Sequence, residues 1–263
     1  MGKISKTITI SYGNYKLRGP LYLIDNLNGD YFDHQLEVLN RIIEKIKCNN
    51  EIIFFDVGAN IGQTSLIFSQ IQNSKTYAFE PVLESYELLT TNVKMNNINN
   101  IKTFSYGLYD KNMRTGMGTP KNLPKNKIID RKSLGMKSIF SNSNEFTVEL
   151  KKGDQIEIVN ELSSLDLLKI DVEGAELSVL KGLKKTIETY SPIIIMEYST
   201  FALNHSVGLI KDIPLFLKSL GYKYVIDITE IKHNHWNHSF TTIDSYDFPK
   251  TGAPDLIFSK SSL

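Results

Sequence analysis

Asp56-Val-Gly58-Ala-Asn60-Ile-Gly62 decides the fold, because of what stands on either side of it. Upstream, Ile52-Ile-Phe-Phe55 is a short, wholly apolar run. Runs of that kind are strands buried on both faces, as in parallel sheets. Downstream, Thr64–Gln70 reads as a helix. Strand, glycine turn and helix form the repeating unit of a doubly wound α/β sheet. The unit recurs: Thr76-Tyr-Ala-Phe79, Ile101-Lys-Thr-Phe104, Leu165-Asp-Leu-Leu-Lys-Ile170 and Ile193-Ile-Ile-Met196 are further strand runs. Leu83–Met95, Ala175–Tyr190 and Ile210–Leu220 are helical segments among them, and Tyr222–Ile228 and Leu256–Phe258 read as closing strands.

Ahead of this pattern, Thr7-Ile-Thr-Ile-Ser-Tyr12 alternates like a strand and Asn28-Gly-Asp30 marks a turn. His34–Lys47 carries Leu36, Leu39, Ile43 and Ile46 at helical spacing. Residues 1–50 are therefore expected to be an extension packed on a main domain of residues 51–263. Some 60 residues separate the strand at Ile101 from the one at Leu165, far more than one crossover helix needs. Residues 107–150 read as an insertion of loop and short strands, such as Phe146–Leu150, and long irregular connections are often functional.

The chain has 263 residues, 41% of them hydrophobic, and a net charge of +1. That fits one large domain, and no global field favours nucleic acid or an anionic membrane. The single cysteine, Cys48, rules out an intramolecular disulfide. Met1-Gly-Lys-Ile-Ser-Lys6 lacks a signal-peptide core and has Lys6 where a myristoylation site wants Ser or Thr. No apolar run reaches about 18 residues, so no membrane span is expected and a cytoplasmic location is the default. Oligomeric state is silent.

The glycine loop lets backbone approach a ligand closely, and the helix after it presents free N–H groups. A nicotinamide-binding fold would carry G-x-G-x-x-G. Here the spacing is G-x-x-x-G, with Asp56 two residues before the first glycine. A carboxylate there repels a pyrophosphate and attracts a cationic ligand such as S-adenosylmethionine. Glu80 ends the second strand, 24 residues after Asp56, where an acid accepts hydrogen bonds from ribose hydroxyls. Asp110, in Gly107-Leu-Tyr-Asp110, follows the third strand. Lys169-Ile-Asp171-Val-Glu173-Gly-Ala-Glu176 follows the fourth strand and sets three acids at the ligand edge of the sheet.

Phe55-Asp-Val-Gly-Ala-Asn-Ile-Gly62, Phe79-Glu-Pro81, Leu168-Lys-Ile-Asp-Val-Glu-Gly-Ala-Glu176 with Val179-Leu-Lys-Gly182, and Ile195-Met-Glu197 together resemble the FkbM family of methyltransferases. The resemblance covers roughly residues 51–200. It implies a class I methyltransferase fold with a seven-stranded sheet whose last strand is antiparallel. It also implies S-adenosylmethionine as cofactor and O-methylation of a sugar or secondary-metabolite hydroxyl. Family members carry a Leu-Asp pair before the fourth strand; Gly153-Asp154 stands nearest that place and departs from it.

A sugar hydroxyl is a weak nucleophile, so a general base is wanted. Asp171 is the first candidate, and Glu173 the second. Asp56, Gly58, Asn60, Gly62, Glu80 and Asp110 are the cofactor-binding candidates. Glu197, His205, His235 and Trp236 are candidates for acceptor contact. His233, His235 and His238 lack a fixed metal-site spacing with a partner acid, so no metal site is assigned. The expected partner is a hydroxylated carbohydrate or small metabolite. Without a basic stripe interleaved with aromatics, nucleic acid is not expected. Two other classes stay open: an NAD-dependent oxidoreductase on a similar sheet and a non-catalytic adenosine-binding protein. Asp171-Val-Glu173 also resembles the acidic metal clasp of nucleotide-sugar glycosyltransferases, against which Asp56 and the glycine loop both argue.

Overall fold

The computed structural model describes residues 7–24, 29–46, 51–119, 137–141, 144–199, 212–228, 240–250 and 252–262. The chain opens with an antiparallel hairpin, β1 (Thr7–Tyr12) and β2 (Tyr15–Pro20), then a turn of helix, α1 (Leu21–Ile24), and α2 (Gly29–Lys45). The sequence places a turn at Asn28–Asp30 and a helix from His34. The helix instead starts at Gly29 and ends at Lys45.

The main sheet begins with β3 (Ile52–Val57), all six residues of which are buried. It continues through α3 (Gln63–Phe68), β4 (Ser74–Phe79), α4 (Leu83–Met95) and β5 (Ile101–Phe104). After the insertion come α5 (Glu157–Glu161), β9 (Leu167–Ile170), α6 (Glu176–Gly182), α7 (Lys184–Tyr190) and β10 (Ile193–Glu197). The chain closes with α8 (Asp212–Ser219), β11 (Tyr224–Asp227), β12 (Thr241–Thr242) and β13 (Asp255–Ser259). Among the described residues the strand order is β12-β11-β13-β10-β9-β3-β4-β5. Strands β10, β9, β3, β4 and β5 are parallel; β13 runs antiparallel to both β10 and β11. Seven of these strands are the sheet that the resemblance implies. The eighth, β12, is two threonines paired to Tyr224 and Val225 at the edge, a pair of β-branched residues too short to read as a strand in sequence.

Alternation along β3 explains the two layers. Ile53, Phe55 and Val57 pack with Leu177, Leu180 and Ile187 from α6 and α7. Ile52 and Phe54 pack on the opposite face with Leu66, Phe68, Val38, Leu39 and Tyr12, so the hairpin and α2 share one apolar cluster with the sheet. The hairpin is also tied to α4. Buried Asn92 accepts from the Arg18 N–H at 2.7 Å and donates to the carbonyls of Arg18 and Ile61 at 2.9 and 2.8 Å.

Within the insertion, β6 (Gly107–Tyr109), β7 (Met113–Met117) and β8 (Phe146–Lys152) form a separate three-stranded sheet. The helix expected over Ala175–Tyr190 is two helices, broken at Gly182-Leu183. A Cβ on Gly182 would lie 1.8 Å from the Tyr109 carbonyl oxygen, so β6 presses directly on the helix end. Asp154 caps the second helix: it accepts from the N–H groups of Lys185 and Thr186 and from the Thr186 hydroxyl at 2.8–3.0 Å. Gly153, where the chain departs from the family pair, packs against Leu183: a Cβ there would meet that side chain at 2.6 Å. Among the described residues, no helix is long and apolar enough to cross a membrane.

Candidate functional site

Strand order reverses between β3 and β9, and a crevice opens at their carboxyl ends, as open α/β sheets require. A cavity of about 210 Å³ occupies it. Its wall includes Gly58, Asn60, Glu80, Pro81, Leu108 and Tyr109, and the acidic residues Asp171, Glu173, Glu197 and Asp255 with Lys169.

The glycine loop answers first to the protein's own backbone. Gly58 has φ +83°, and a Cβ there would stand 1.8 Å from the Asp171 carbonyl oxygen. Its N–H and that of Ala59 both donate to the Phe79 carbonyl at 3.0 Å. Gly62 has φ +94°, caps α3 and faces Leu89 rather than the cavity. Asn60, at φ 50°, lines the cavity, and its Oδ1 is buried with no hydrogen-bond partner among the described residues. Its N–H donates to Glu80 Oε2 at 2.9 Å, and the Val82 N–H donates to Glu80 Oε1 at 2.8 Å. Two backbone donors thus fix the Glu80 carboxylate while leaving lone pairs on both oxygens. Burial raises this carboxyl to about 7, and the charges of Asp56 and Asp171 add to the rise against those two hydrogen bonds. Beside it, Tyr109, Met117 and Ile139 pack with Val82 and Leu150 into an apolar wall.

Asp56 stands behind the cavity wall. It is fully buried, accepts from Ser65 Oγ at 2.5 Å, and has Lys169 Nζ 3.6 Å from its other oxygen. Lys169 also reaches Asp171 at 3.2 Å, so one ammonium couples the glycine strand to the acidic loop. Asp171, Glu173 and Glu197 each place a carboxylate oxygen within 4.8 Å of the others, a spacing within reach of one cation. Glu173 holds a left-handed backbone, φ 52°, and its carbonyl accepts from Ser138 Oγ at 2.8 Å. Glu176 lies beneath that loop, fully buried, and accepts from the Gly174 N–H at 3.0 Å; burial raises it to about 7. Asp110 sits one residue past the cavity wall, with its Oδ1 buried and without a donor among the described residues.

The profile of the family described as "Methyltransferase FkbM domain" matches residues 56–224, from the glycine loop to the first residue of β11. The chain belongs to the FkbM methyltransferase-domain family. Two curated relatives of this FkbM chain are "Methyltransferase sdnD" of Sordaria araneosa and "Hexuronic acid methyltransferase AglP" of Haloferax volcanii. The first is 30% identical over 52% of this chain and 66% of its own length. The second is 26% identical over 60% of each. The chain therefore spans less than two thirds of either relative. A solved methyltransferase FkbM from Methylobacillus flagellatus superposes with a TM-score of 0.44 at 18% identity, over 80% of this chain and 43% of that one.

On the FkbM scaffold, the residues singled out in sequence fall into three groups. Gly58, Asn60, Glu80, Asp171, Glu173 and Glu197 line one cavity. Asp56, Gly62 and Asp110 do not line it. His205, His235 and Trp236 lie outside the described residues. Sequence reasoning missed Lys137, Lys169 and Asp255 on the wall. Lys169 was legible as the polar interruption of an apolar strand. Asp255 was legible as the first residue of an antiparallel closing strand, which begins at the ligand edge. Lys137 gave no signal. Its ammonium is buried by the insertion, pairs with Glu145 and donates to Thr119 Oγ1 at 2.7 Å.

Proposed function

We propose that this chain is an S-adenosylmethionine-dependent O-methyltransferase acting on a hydroxyl of a sugar, glycan or secondary metabolite. One observation carries the reading: a single cavity joins the Glu80 carboxylate, held by backbone donors, to the Asp171, Glu173 and Glu197 carboxylates along one sheet edge. The relative named for a hexuronic acid supports a saccharide acceptor.

The donor set favours this cofactor over a dinucleotide. Among the described residues the lining cations are Lys137 and Lys169, and both are already ion-paired, to Glu145 and to Asp56 with Asp171. A diphosphate would meet neither a spare cation nor an open glycine turn, because the Asp171 carbonyl fills the space beside Gly58. A ligand with an adenosine ribose and a net positive charge, its sulfonium and ammonium outweighing its one carboxylate, meets complementary carboxylates. Bound S-adenosylmethionine supplies the methyl group. Glu80 would hold the ribose hydroxyls, Asn60 Oδ1 would accept a donor from the ligand, and Asp110 would support the adenine side. Asp171 and Glu173 would orient the acceptor hydroxyl and take its proton, with Glu197 accepting from a neighbouring hydroxyl.

Incubation with methyl-labelled S-adenosylmethionine and a panel of glycosides, uronates and alcohols tests this reading. The expected product is a labelled methyl ether. Asp171→Asn is expected to lower kcat by about two to four orders of magnitude while S-adenosylhomocysteine still binds. Label on nitrogen or carbon, or no transfer across the panel, contradicts O-methylation. Full turnover with only a raised acceptor KM would remove Asp171 from the proton transfer.

A further inference from the structure

Asp255 was not among the residues that the sequence motifs pointed to, and the topology puts it in the cavity. Because β13 runs antiparallel, its first residue stands where the parallel strands end, and register pairs Asp255 with Glu197. Around it stand Lys169 and Asp171 from β9 and its loop, Glu197 from β10 and Asp227 from the end of β11. We infer that Asp255 is a specificity-determining residue of the acceptor end, selecting an uncharged, hydroxyl-rich acceptor and rejecting one that carries a carboxylate, so that the chain parts here from the relative named for a hexuronic acid. The inference rests on the methyltransferase reading and names the acceptor class within it.

Charge makes the argument. An acceptor lying across this end of the cavity meets Asp171, Glu173, Glu197 and Asp255, with Lys169 as the one lining ammonium there among the described residues. That ammonium is engaged by Asp56 and Asp171. A hydroxyl donates to a carboxylate, and vicinal hydroxyls suit adjacent carboxylates such as Glu197 and Asp255. An anionic acceptor adds a further like charge a few ångströms away, in a crevice that water screens poorly. The environment of Asp255 records the same field: burial raises its carboxyl to about 6, Asp171 adds to the rise, Lys169 opposes it and Asp227 adds again. Lys137, the other lining cation, packs among the insertion residues Thr119, Glu145 and Phe146.

The test uses the full chain saturated with S-adenosylhomocysteine and two probes that differ in charge, methyl α-glucopyranoside and its 6-carboxylate, methyl α-glucopyranosiduronate. Their dissociation constants are read by protein-observed NMR. The neutral glycoside is expected to bind about tenfold or more tightly than the uronate, and Asp255→Asn, checked for an unchanged cooperative melt, to narrow that ratio to about threefold or less. Equal or tighter binding of the uronate, binding of neither probe, or an unaltered ratio in Asp255→Asn overturns the inference. If S-adenosylhomocysteine itself fails to bind wild-type protein, the methyltransferase reading falls, and this inference with it. If it binds and the ratio is absent, only the inference about Asp255 falls.

Discussion

Gly58→Ala is expected to abolish S-adenosylhomocysteine binding and to lower the unfolding free energy by about 2–4 kcal/mol. Two independent penalties combine at this position. The backbone is at φ +83°, which an L side chain adopts only at a cost. The added Cβ would sit 1.8 Å from a backbone carbonyl, that of Asp171, and backbone cannot swing aside as a side-chain tip can. Relief requires β3 and the loop after β9 to part. Doing so moves Asn60 and Asp171, both of which line the cavity, and breaks the Asp171 N–H bond to the Val57 carbonyl, 3.0 Å long. Gly62→Ala is the control. Its Cβ would crowd Leu89 Cδ1, at 2.7 Å, the far end of a flexible side chain, and meet the rest of Leu89 at an ordinary 3.9 Å. It is expected to lose about 1 kcal/mol through its left-handed φ and to keep measurable cofactor affinity. Urea denaturation and calorimetry on both variants check the pair. Equal losses in the two would show that the Gly58–Asp171 contact is not what the loop protects.

The second large effect is at Glu80. Glu80→Gln is expected to weaken S-adenosylhomocysteine by about 3 kcal/mol, roughly a hundredfold, since a carboxylate receiving two ribose hydroxyls makes charge-assisted hydrogen bonds. The pH dependence makes the assignment specific. In the free protein burial raises the Glu80 carboxyl to about 7, so below that pH it is protonated and one of its acceptor sites becomes a donor. Wild-type affinity should therefore fall about tenfold between pH 8 and pH 6, while Glu80→Gln should be nearly flat over the same range. Stability of the free protein runs the opposite way. Glu80 and Glu176 both titrate higher folded than unfolded. Their stabilising contribution is full below about pH 4.5 and is lost as pH rises through about 7. Cofactor binding thus demands the charge state that the free fold disfavours. A wild-type affinity that is level from pH 6 to pH 8 would contradict the role given to Glu80.

Much of this was legible in the sequence, for identifiable reasons. Apolar runs such as Ile52–Phe55 marked the parallel strands because both faces of the sheet are covered, leaving no alternation to confuse. Glu80 and Asp171 were legible because each ends such a run, where side chains leave the sheet for the crevice. What escaped depends on distance in sequence. Gly182, at the break, lies against the Tyr109 carbonyl, more than seventy residues earlier. Asp56 reads as a ligand-facing acid, yet its neighbours Ser65 and Lys169 draw it beneath the wall. Asp255 joins the site only because the last strand turns antiparallel, a fact of topology with no local motif. Lys137 arrives through the insertion, whose sheet pairs β8 with both β6 and β7 across a long excursion.

The central claim is that the crevice beside Gly58, Glu80 and Asp171 is built for S-adenosylmethionine and against a dinucleotide. Parallel calorimetric titrations of the full chain with S-adenosylhomocysteine and with NAD test it most directly. The predicted result is one-site binding of S-adenosylhomocysteine, lost in Gly58→Ala and weakened in Glu80→Gln, with no heat from NAD. Binding of NAD without S-adenosylhomocysteine would contradict it.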